Sequence, residues 1–313
     1  MGTETSGMQA SEELAKFTPE RPTVLTIGVF DGVHLGHQFL MNKVIGRARE
    51  LGFLSVVVTL HPHPRAVLSE QFEPRYICSL SERIATIKSL GVDMVVPMTF
   101  TPELSRLNAR EFIGLLREHL KMRELLVGAD FALGRGRAGD VGALVAMGKE
   151  QGFQVTVVPP LVQNTEIVSS TSIRNALADG DVAKAARQLG RPVNLFGEVV
   201  EGDQRGRAIG FPTANLAYER ERALPADGVY ATRACLKDLC YDSVTNIGIR
   251  PTFSGKERTV EVFLIGFQGD IYRQELRIEL VERLRGEQRF AGIEDLKDQI
   301  ARDVETAKAA LRR

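Results

Sequence analysis

Apolar and polar positions change their period along the chain, and the change divides it. Residues 23–30 (TVLTIGVF) form a continuous apolar, β-branched run, the pattern of a strand buried on both faces of a parallel sheet. In residues 38–51 the apolar positions Phe39, Leu40, Val44, Ile45, Ala48 and Leu51 recur at helical spacing, and Gly52 ends the helix. The alternation continues with a strand at 55–60, a helix at 82–90, a strand at 92–98, a helix at 109–121, a short strand at 125–127, a helix at 141–151 and a strand at 153–158. Strands alternating with helices predict an α/β doubly wound parallel sheet. Past residue 158 the rhythm shifts through PPLVQNTEIVSS to two short helices at 172–178 and 182–189, and GRP at 190–192 breaks the second. Short β-type runs follow at 193–200, 228–236, 243–247, 259–267 and 276–284, separated by Gly, Pro and Asp, with a helix from 293 to about 311. This succession predicts a small antiparallel β-barrel domain with a C-terminal helix against it.

The expected organisation is a flexible leader at 1–21, an α/β domain at 22–190 and a barrel domain at 191–313. A chain of 313 residues is long enough for two cores. The leader mixes Gly, Thr, Ser, Glu and Lys without an apolar run fit for a signal or a membrane span, so it is expected to be loose. Lys plus Arg, 40, balance Asp plus Glu, 40, and Trp is absent, so no net field draws the chain to nucleic acid or to a membrane. A small phosphate-bearing partner stays open. The cysteines, Cys78, Cys235 and Cys240, are odd in number and form no CxxC, which suits a reducing, cytoplasmic setting better than a disulfide framework. A homo-oligomer is compatible with the sequence, which does not report one.

The most informative segment is GVFDGVHLGH at 28–37. It places Gly28, Phe30, Asp31, Gly32, His34, Gly36 and His37 at the carboxyl end of the first strand and the start of the first helix, where open α/β sheets bind ligands. Backbone N–H groups and the helix dipole favour an anion there, and glycines allow close approach of phosphate oxygens. His34 and His37, three residues apart, can donate hydrogen bonds to one triphosphate. Taken singly, Asp31-Gly32 is a turn signal and each histidine is more often structural. The pair is also a zinc-like spacing, but no Cys or nearby carboxylate completes a ligand set.

The whole string resembles the signature of the HxGH nucleotidyltransferases, and its form G-x-F-D-G-x-H-x-G-H resembles the adenylyltransferase module of bacterial bifunctional FAD synthetases. TLHPHP at 59–64 resembles that family's PHP loop, with His63 as the matching histidine. VGADFALGRGRAGD at 127–140 resembles its G-x-D-F-x-F-G-x-x-R-x-G-D stretch through Gly128, Asp130, Phe131, Gly134, Arg137, Gly139 and Asp140. VSSTSIR at 168–174 resembles its S-S-T-x-I-R motif through Ser169, Ser170, Thr171, Ile173 and Arg174. Read physically, Ser170 and Thr171 suit a helix N-cap with Arg174 one turn on, able to reach a phosphate from the same end. Alone, this would be ordinary capping. Gly134, Gly136 and Gly139 predict a mobile loop fit to close over a flavin or an adenine, although GRGRAG by itself is only a flexible basic loop. The resemblance implies that Gly28, Phe30, Asp31, Gly36, His63, Ser170 and Thr171 bind ATP. It implies that Asp130, Phe131 and Arg137 bind flavin, and that His34, His37 and Arg174 stabilise the departing pyrophosphate.

In the carboxyl-terminal half, GDQRGRAIGFPTANL at 202–216 combines a Gly-Arg-rich turn, Pro212, and Thr213 and Asn215 two apart. On an extended segment Thr213 and Asn215 present oxygens to one side, a pattern for a hard cation, and PTAN alone is as readily a plain loop. The wider string resembles the riboflavin kinase signature, and NIGIRPTF at 246–253, TVEVFLIGF with GDIY at 259–272, and LRGEQRF at 284–290 resemble its further elements. Glu261 lies in an apolar run, where a carboxylate normally faces outward. The resemblance implies instead the general base for phosphorylation of riboflavin, with Arg207 and Gly210 at ATP, Thr213 and Asn215 at Mg²⁺, Arg285 at flavin, and a six-stranded barrel. Phe263 stands where the family often has His, Arg273 where it often has Gly, Leu133 where Phe is usual, and His61 where an acidic or polar residue is common.

The resemblance thus implies ATP as co-substrate, riboflavin and FMN as substrates, FMN and FAD as products, and Mg²⁺ as cofactor. The rival readings are a chain with only one live domain, a cytidylyltransferase of the HxGH type, against which PTAN and Glu261 argue, and a flavin-binding sensor without turnover, against which the retained His34, His37, Thr213, Asn215 and Glu261 argue.

Overall fold

The computed structural model describes residues 7–163, 165–202, 206, 209–252 and 255–312. It divides into two compact units, Met1–Ser169 and Ser170–Arg313.

The first unit runs α1 (Met8–Ala15), β1 (Thr23–Gly28), α2 (Leu35–Leu51), β2 (Leu54–His61), α3 (Pro64–Leu68), α4 (Leu80–Ser89), β3 (Met94–Thr99), α5 (Pro102–Arg106), α6 (Ala109–Leu120) and β4 (Met122–Gly128). A short pair, β5 (Ala132–Leu133) and β6 (Gly139–Asp140), precedes α7 (Val141–Gln151), β7 (Gln154–Val158) and a second short pair, β8 (Val162–Gln163) and β9 (Glu166–Ile167). Five strands pair in parallel in the order β3-β2-β1-β4-β7, the doubly wound arrangement that the alternating pattern predicts. Side chains alternate across the pleat, so Leu25 and Ile27 of β1 enter the core shared with α1, α6 and α7, while Val24 joins Val44 and Ala48 of α2 on the other face. Burial on both faces is why β1 reads as an unbroken apolar run.

Two expectations are corrected here. The leader is not loose over its described part: α1 buries Ala10 and Leu14 in the main core, Phe17 packs beside them, and the Glu13 carboxylate accepts the Thr99 N–H at 2.8 Å. Ala10, Leu14 and Phe17 lie on one helical face, a stripe too short to stand out among polar neighbours. The glycine-rich loop after β4 is likewise pinned down. Gly134 has φ +76° and packs so closely that a Cβ would meet the Ala109 backbone nitrogen at 2.5 Å, and the Arg135 N–H donates to Leu107 O at 2.8 Å. Gly134 and Gly139 serve close approach, whereas Gly136, with open space around it, serves the left-handed turn at φ +62°.

The second unit opens with α8 (Ser170–Ala178) and α9 (Val182–Leu189). The strands β10 (Val193–Val200), β11 (Ala214–Ala217), β12 (Gly228–Leu236), β13 (Leu239–Thr252), β14 (Gly255–Leu264) and β15 (Glu275–Arg285) close an antiparallel barrel in the order β10-β11-β14-β13-β12-β15. The last helix, α10 (Ile293–Leu311), lays Val304, Ala307 and Leu311 on Val229, Ala231 and Val244. Strand β13 outruns the expected 243–247 at both ends, and β14 starts at 255 where 259 is expected but ends at 264, short of 267, because antiparallel pairing carries the two through polar and glycine positions where the apolar period lapses. Strand β11 lies inside the PTANL segment, just past Pro212, which cannot donate to a ladder.

Cys235 and Cys240 form a disulfide, contrary to the expectation of a reducing setting, whereas Cys78 is buried outside any disulfide. They face each other across the tight hairpin joining β12 and β13, with Cα atoms 4.0 Å apart, a pairing visible only once the turn is known. Among the described residues no helix is long and apolar enough to cross a membrane.

Candidate active sites

The first site is assembled at the carboxyl end of β1. Gly28 is the last residue of the strand and stands opposite Thr59 of β2. The chain then turns sharply: Phe30 takes φ +53°, Gly32 takes φ +78°, and His34 becomes the N-cap of α2. The His34 Nδ1 accepts the His37 N–H at 3.3 Å, so in the neutral ring the proton belongs on Nε2. His37 stacks on His34 with ring centroids 3.5 Å apart and planes 21° apart, and Phe30 meets the His37 ring edge-on at 5.2 Å. Gly36 is required by this crowding, since a Cβ would lie 3.1 Å from the His34 ring and 3.2 Å from Val168 O. The His37 ring is partly exposed, but its Nδ1 is sealed from solvent without a hydrogen-bond partner. Burial first, then the neighbouring His34 and Arg83, hold its pKa well below the ordinary histidine value of 6.5. The arrangement is a neutral imidazole pair at a helix start, equipped to donate to an anion.

Other residues of the motif have packing duties. Asp31 is buried, and its carboxylate accepts the Ile77 N–H at 3.0 and 3.1 Å and the Cys78 N–H at 3.3 Å, which ties the turn to the segment before α4. That occupation suits a structural anchor better than contact with a triphosphate, which a carboxylate would repel. His63 caps α3 by accepting the Arg65 N–H on Nδ1 at 3.1 Å, while its own N–H donates to the Tyr76 hydroxyl at 2.8 Å. At the end of β4, Asp130 is exposed, its backbone oxygen accepts Arg137 Nη2 at 3.0 Å, and Phe131 rests against the core. Leu133 fills a buried position of that core, so the departure from Phe there is a packing substitution. Ser170 and Thr171 form the first turn of α8, with Arg174 one turn on. The helix begins at Ser170 and not at 172 as the sequence suggests.

The second site lies on the outer surface of the barrel. Asn215 of β11 stands directly opposite Glu261 of β14, and Glu261 stands opposite Asn246 of β13. Adjacent strands thus set a carboxylate between two amides on one face. A cavity of about 890 Å³ opens there, lined by Thr213, Asn246, Glu261, Phe263, Glu287 and residues of α10 among others. Its wall is largely apolar, from Val229, Val244, Phe290, Leu296 and Ile300. A second cavity of about 580 Å³ shares Thr213 and includes Pro212, Phe267, Asp270 and Tyr272. Gly210, with φ +90°, lies in the turn closed by the Phe211 N–H to Gly206 O bond of 2.8 Å. Gly206 packs within 3.3 Å of the Thr213 hydroxyl by the position of its missing Cβ. Arg207 lies outside the described residues, as does Phe253 of the NIGIRPTF segment.

Arg285 lines the larger cavity, but its guanidinium is engaged by Asp303 of α10, Nε to Oδ1 at 2.9 Å and Nη2 to Oδ2 at 2.7 Å, and Nη1 donates to Gly286 O at 3.0 Å. It holds α10 over the cavity. Arg273 takes φ +62°, a left-handed conformation that accounts for the family's frequent glycine at this place.

Sequence reasoning missed two residues. Glu287 folds over Gly248, where a Cβ would come within 2.0 Å of its Oε1, and enters the cavity beside Glu261. The LRGEQRF motif carried that signal. Arg83 is wholly buried on α4, and its only trace in the sequence is a cation four residues before the buried Ile87.

An anion site on an open parallel sheet and a carboxylate-lined cavity on a closed barrel define a two-site, phosphate-handling transferase. Known proteins resolve the class further. The FAD synthetase family model matches residues 16–172 and the riboflavin kinase family model matches residues 189–311. The bifunctional riboflavin kinase/FMN adenylyltransferase of Escherichia coli K12 is 39% identical over 292 residues, 93% of each chain. The proteins of that description from Pseudomonas fluorescens and Bacillus subtilis are 40% and 36% identical, covering 96% and 91% of this chain and 97% and 91% of their own. A solved structure from Streptococcus pneumoniae, described as a macrolide-efflux protein, is 30% identical with a TM-score of 0.86 and covers 94% of this chain and 96% of its own. The chain belongs to the bifunctional riboflavin kinase/FMN adenylyltransferase family.

Proposed function

We propose that the chain converts riboflavin and ATP to FMN and ADP at the barrel cavity, and FMN and ATP to FAD and pyrophosphate at the turn carrying His34 and His37. The observation that carries this reading is Glu261 held between Asn215 and Asn246 in a cavity that shares Thr213 with a second one. The larger, apolar cavity suits an isoalloxazine ring, and the smaller one suits a nucleotide. With the ribityl chain directed to Glu261, the carboxylate takes the proton of the terminal hydroxyl as its oxygen bonds to the γ-phosphorus and the bond to ADP breaks.

Mg²⁺ fits this geometry. Thr213 and Asn215 flank the buried Ala214, so both present oxygen-bearing side chains to the face opposite the barrel interior, and the rest of a coordination shell would come from phosphates and water. When bound there, the ion neutralises phosphate charge. Thr213 and Asn215 would hold it, which would leave Glu261 to accept the proton.

In the first unit no protein nucleophile is needed. A phosphate oxygen of FMN bonds to the α-phosphorus of ATP as the bond to pyrophosphate breaks, and the growing charge meets the Nε2–H of His34 and the imidazole of His37. Ser170, Thr171 and Arg174 are assigned to phosphate on the family motif, Asp130, Phe131 and Arg137 to flavin, and Gly28 and Gly36 to close approach of the nucleotide. Phe30 and His63 are assigned to ATP on the family motif, and Asp31, whose carboxylate is taken up by the Ile77 and Cys78 N–H groups, to anchoring the turn beside it. A cytoplasmic setting, which this reading assigns to the chain, would supply the ATP. The test incubates the purified chain with riboflavin, ATP and Mg²⁺ and separates the flavins. FMN followed by FAD is expected, and absence of both overturns the reading.

A further inference from the structure

Arg83 is one of the largest side chains in the protein that are wholly buried, and among the described residues its cation has no ion-pair partner. Nη1 donates to the Thr59 hydroxyl at 3.4 Å and to Leu60 O at 3.2 Å, while Nε and Nη2 are sealed from solvent without a hydrogen-bond partner. No carboxylate reaches it among the described residues, and the Tyr76 ring centroid lies 5.8 Å from the guanidinium carbon. A buried, unpaired cation costs several kcal/mol when nothing balances it. Such a cost, kept in a well-packed core, points to a charge that arrives with a ligand.

The location says which ligand. Thr59 stands opposite Gly28 in the β1–β2 register, and its hydroxyl donates in turn to Val29 O at 3.0 Å. Arg83 is therefore bonded into the floor of the turn that carries His34 and His37. It is also close enough to His37 to disfavour a proton there. In the low dielectric beneath the turn, an uncompensated charge acts on an anion above it without contact.

We propose that Arg83 is a positioning residue for adenylyl transfer: a buried cation under the floor of the histidine turn, balanced by the polyphosphate of bound ATP. It rests on the reading of the first unit as the ATP site for FAD formation. It works through two neighbours. Through His37 it favours the neutral imidazole that donates to phosphate, and through Thr59 and Val29 it holds the turn. Before ATP binds, the site carries an unbalanced positive charge, and binding removes the imbalance.

The test compares Arg83→Met, which keeps bulk and removes charge, with Arg83→Lys, which keeps charge. Each chain is assayed for FAD formation from FMN, for riboflavin phosphorylation, for thermal unfolding, and for the His37 pKa by NMR. Arg83→Met is expected to lower kcat/KM for ATP in FAD formation about tenfold or more, through KM, the scale of a lost charge-assisted interaction. Its riboflavin phosphorylation should match the parent, its Tm should be equal or higher, and the His37 pKa should rise. Arg83→Lys should recover most of the ATP response. Wild-type efficiency in Arg83→Met overturns the proposal, and so does an equal loss in both variants accompanied by a fall in Tm, which is the mark of packing alone. A parent chain that phosphorylates riboflavin but forms no FAD from FMN overturns the reading of the first unit itself, and this proposal with it.

Discussion

His37 lies flat on His34, with ring centroids 3.5 Å apart, inside a turn that buries its Nδ1. Burial first, and then the charge of the neighbouring His34 and Arg83, drives the pKa of His37 well below its ordinary value of 6.5. The folded chain therefore binds fewer protons at His37 than the unfolded chain between the depressed value and 6.5. Stability from this source is complete above 6.5 and falls as the pH drops through that window, by about 1.4 kcal/mol per unit of pKa separation. Denaturant unfolding of the first unit followed from about pH 7.5 to 5 should show this acid loss, and His37→Gln should flatten it.

The same histidine should separate the two activities. His37→Ala removes a donor to pyrophosphate, so FAD formation from FMN should fall by about a hundredfold or more, the scale of a lost transition-state donor. Riboflavin phosphorylation should be unchanged, and chromatography of the products should show FMN accumulating.

Glu261→Gln makes the opposite separation. The amide keeps the size of the side chain between Asn215 and Asn246 but accepts no proton. Phosphorylation of riboflavin should fall by about a hundredfold or more, and supplied FMN should still be converted to FAD.

Arg285 and Asp303 form a bidentate, mostly buried ion pair that ties β15 to α10. Asp303→Asn leaves the guanidinium without its counter-charge and should destabilise the second unit by about 3 kcal/mol or more in chemical denaturation. Because α10 forms one wall of the cavity, KM for riboflavin should rise with a smaller change in kcat.

Leu14 tests the leader. It is fully buried in the main core, so Leu14→Ala should cost about 2–5 kcal/mol, measured by urea unfolding. A loose leader would give no change.

The sequence alone determined the layout: one region of alternating strands and helices, one of short strands, and the strings that mark the two sites. These features are local. A strand buried on both faces must be apolar throughout, a helix start that meets phosphate needs glycine and donors, and spacing along the chain records both. The single face of Ala10, Leu14 and Phe17 was too short to read, and the length of β13 and β14 is set by cross-strand pairing that no one-dimensional period contains. Tertiary structure alone decided which motif residues are engaged within the frame. Asp31 is spent on the N–H groups of Ile77 and Cys78, Arg285 on Asp303, and the Cys235–Cys240 bond on a hairpin whose turn brings the two sulfurs together. Arg83 is the extreme case, an arginine in an ordinary helix until folding buries it under the histidine turn. A residue's type is written in the sequence, but the strength of its charge depends on what surrounds it, and only packing supplies the surroundings.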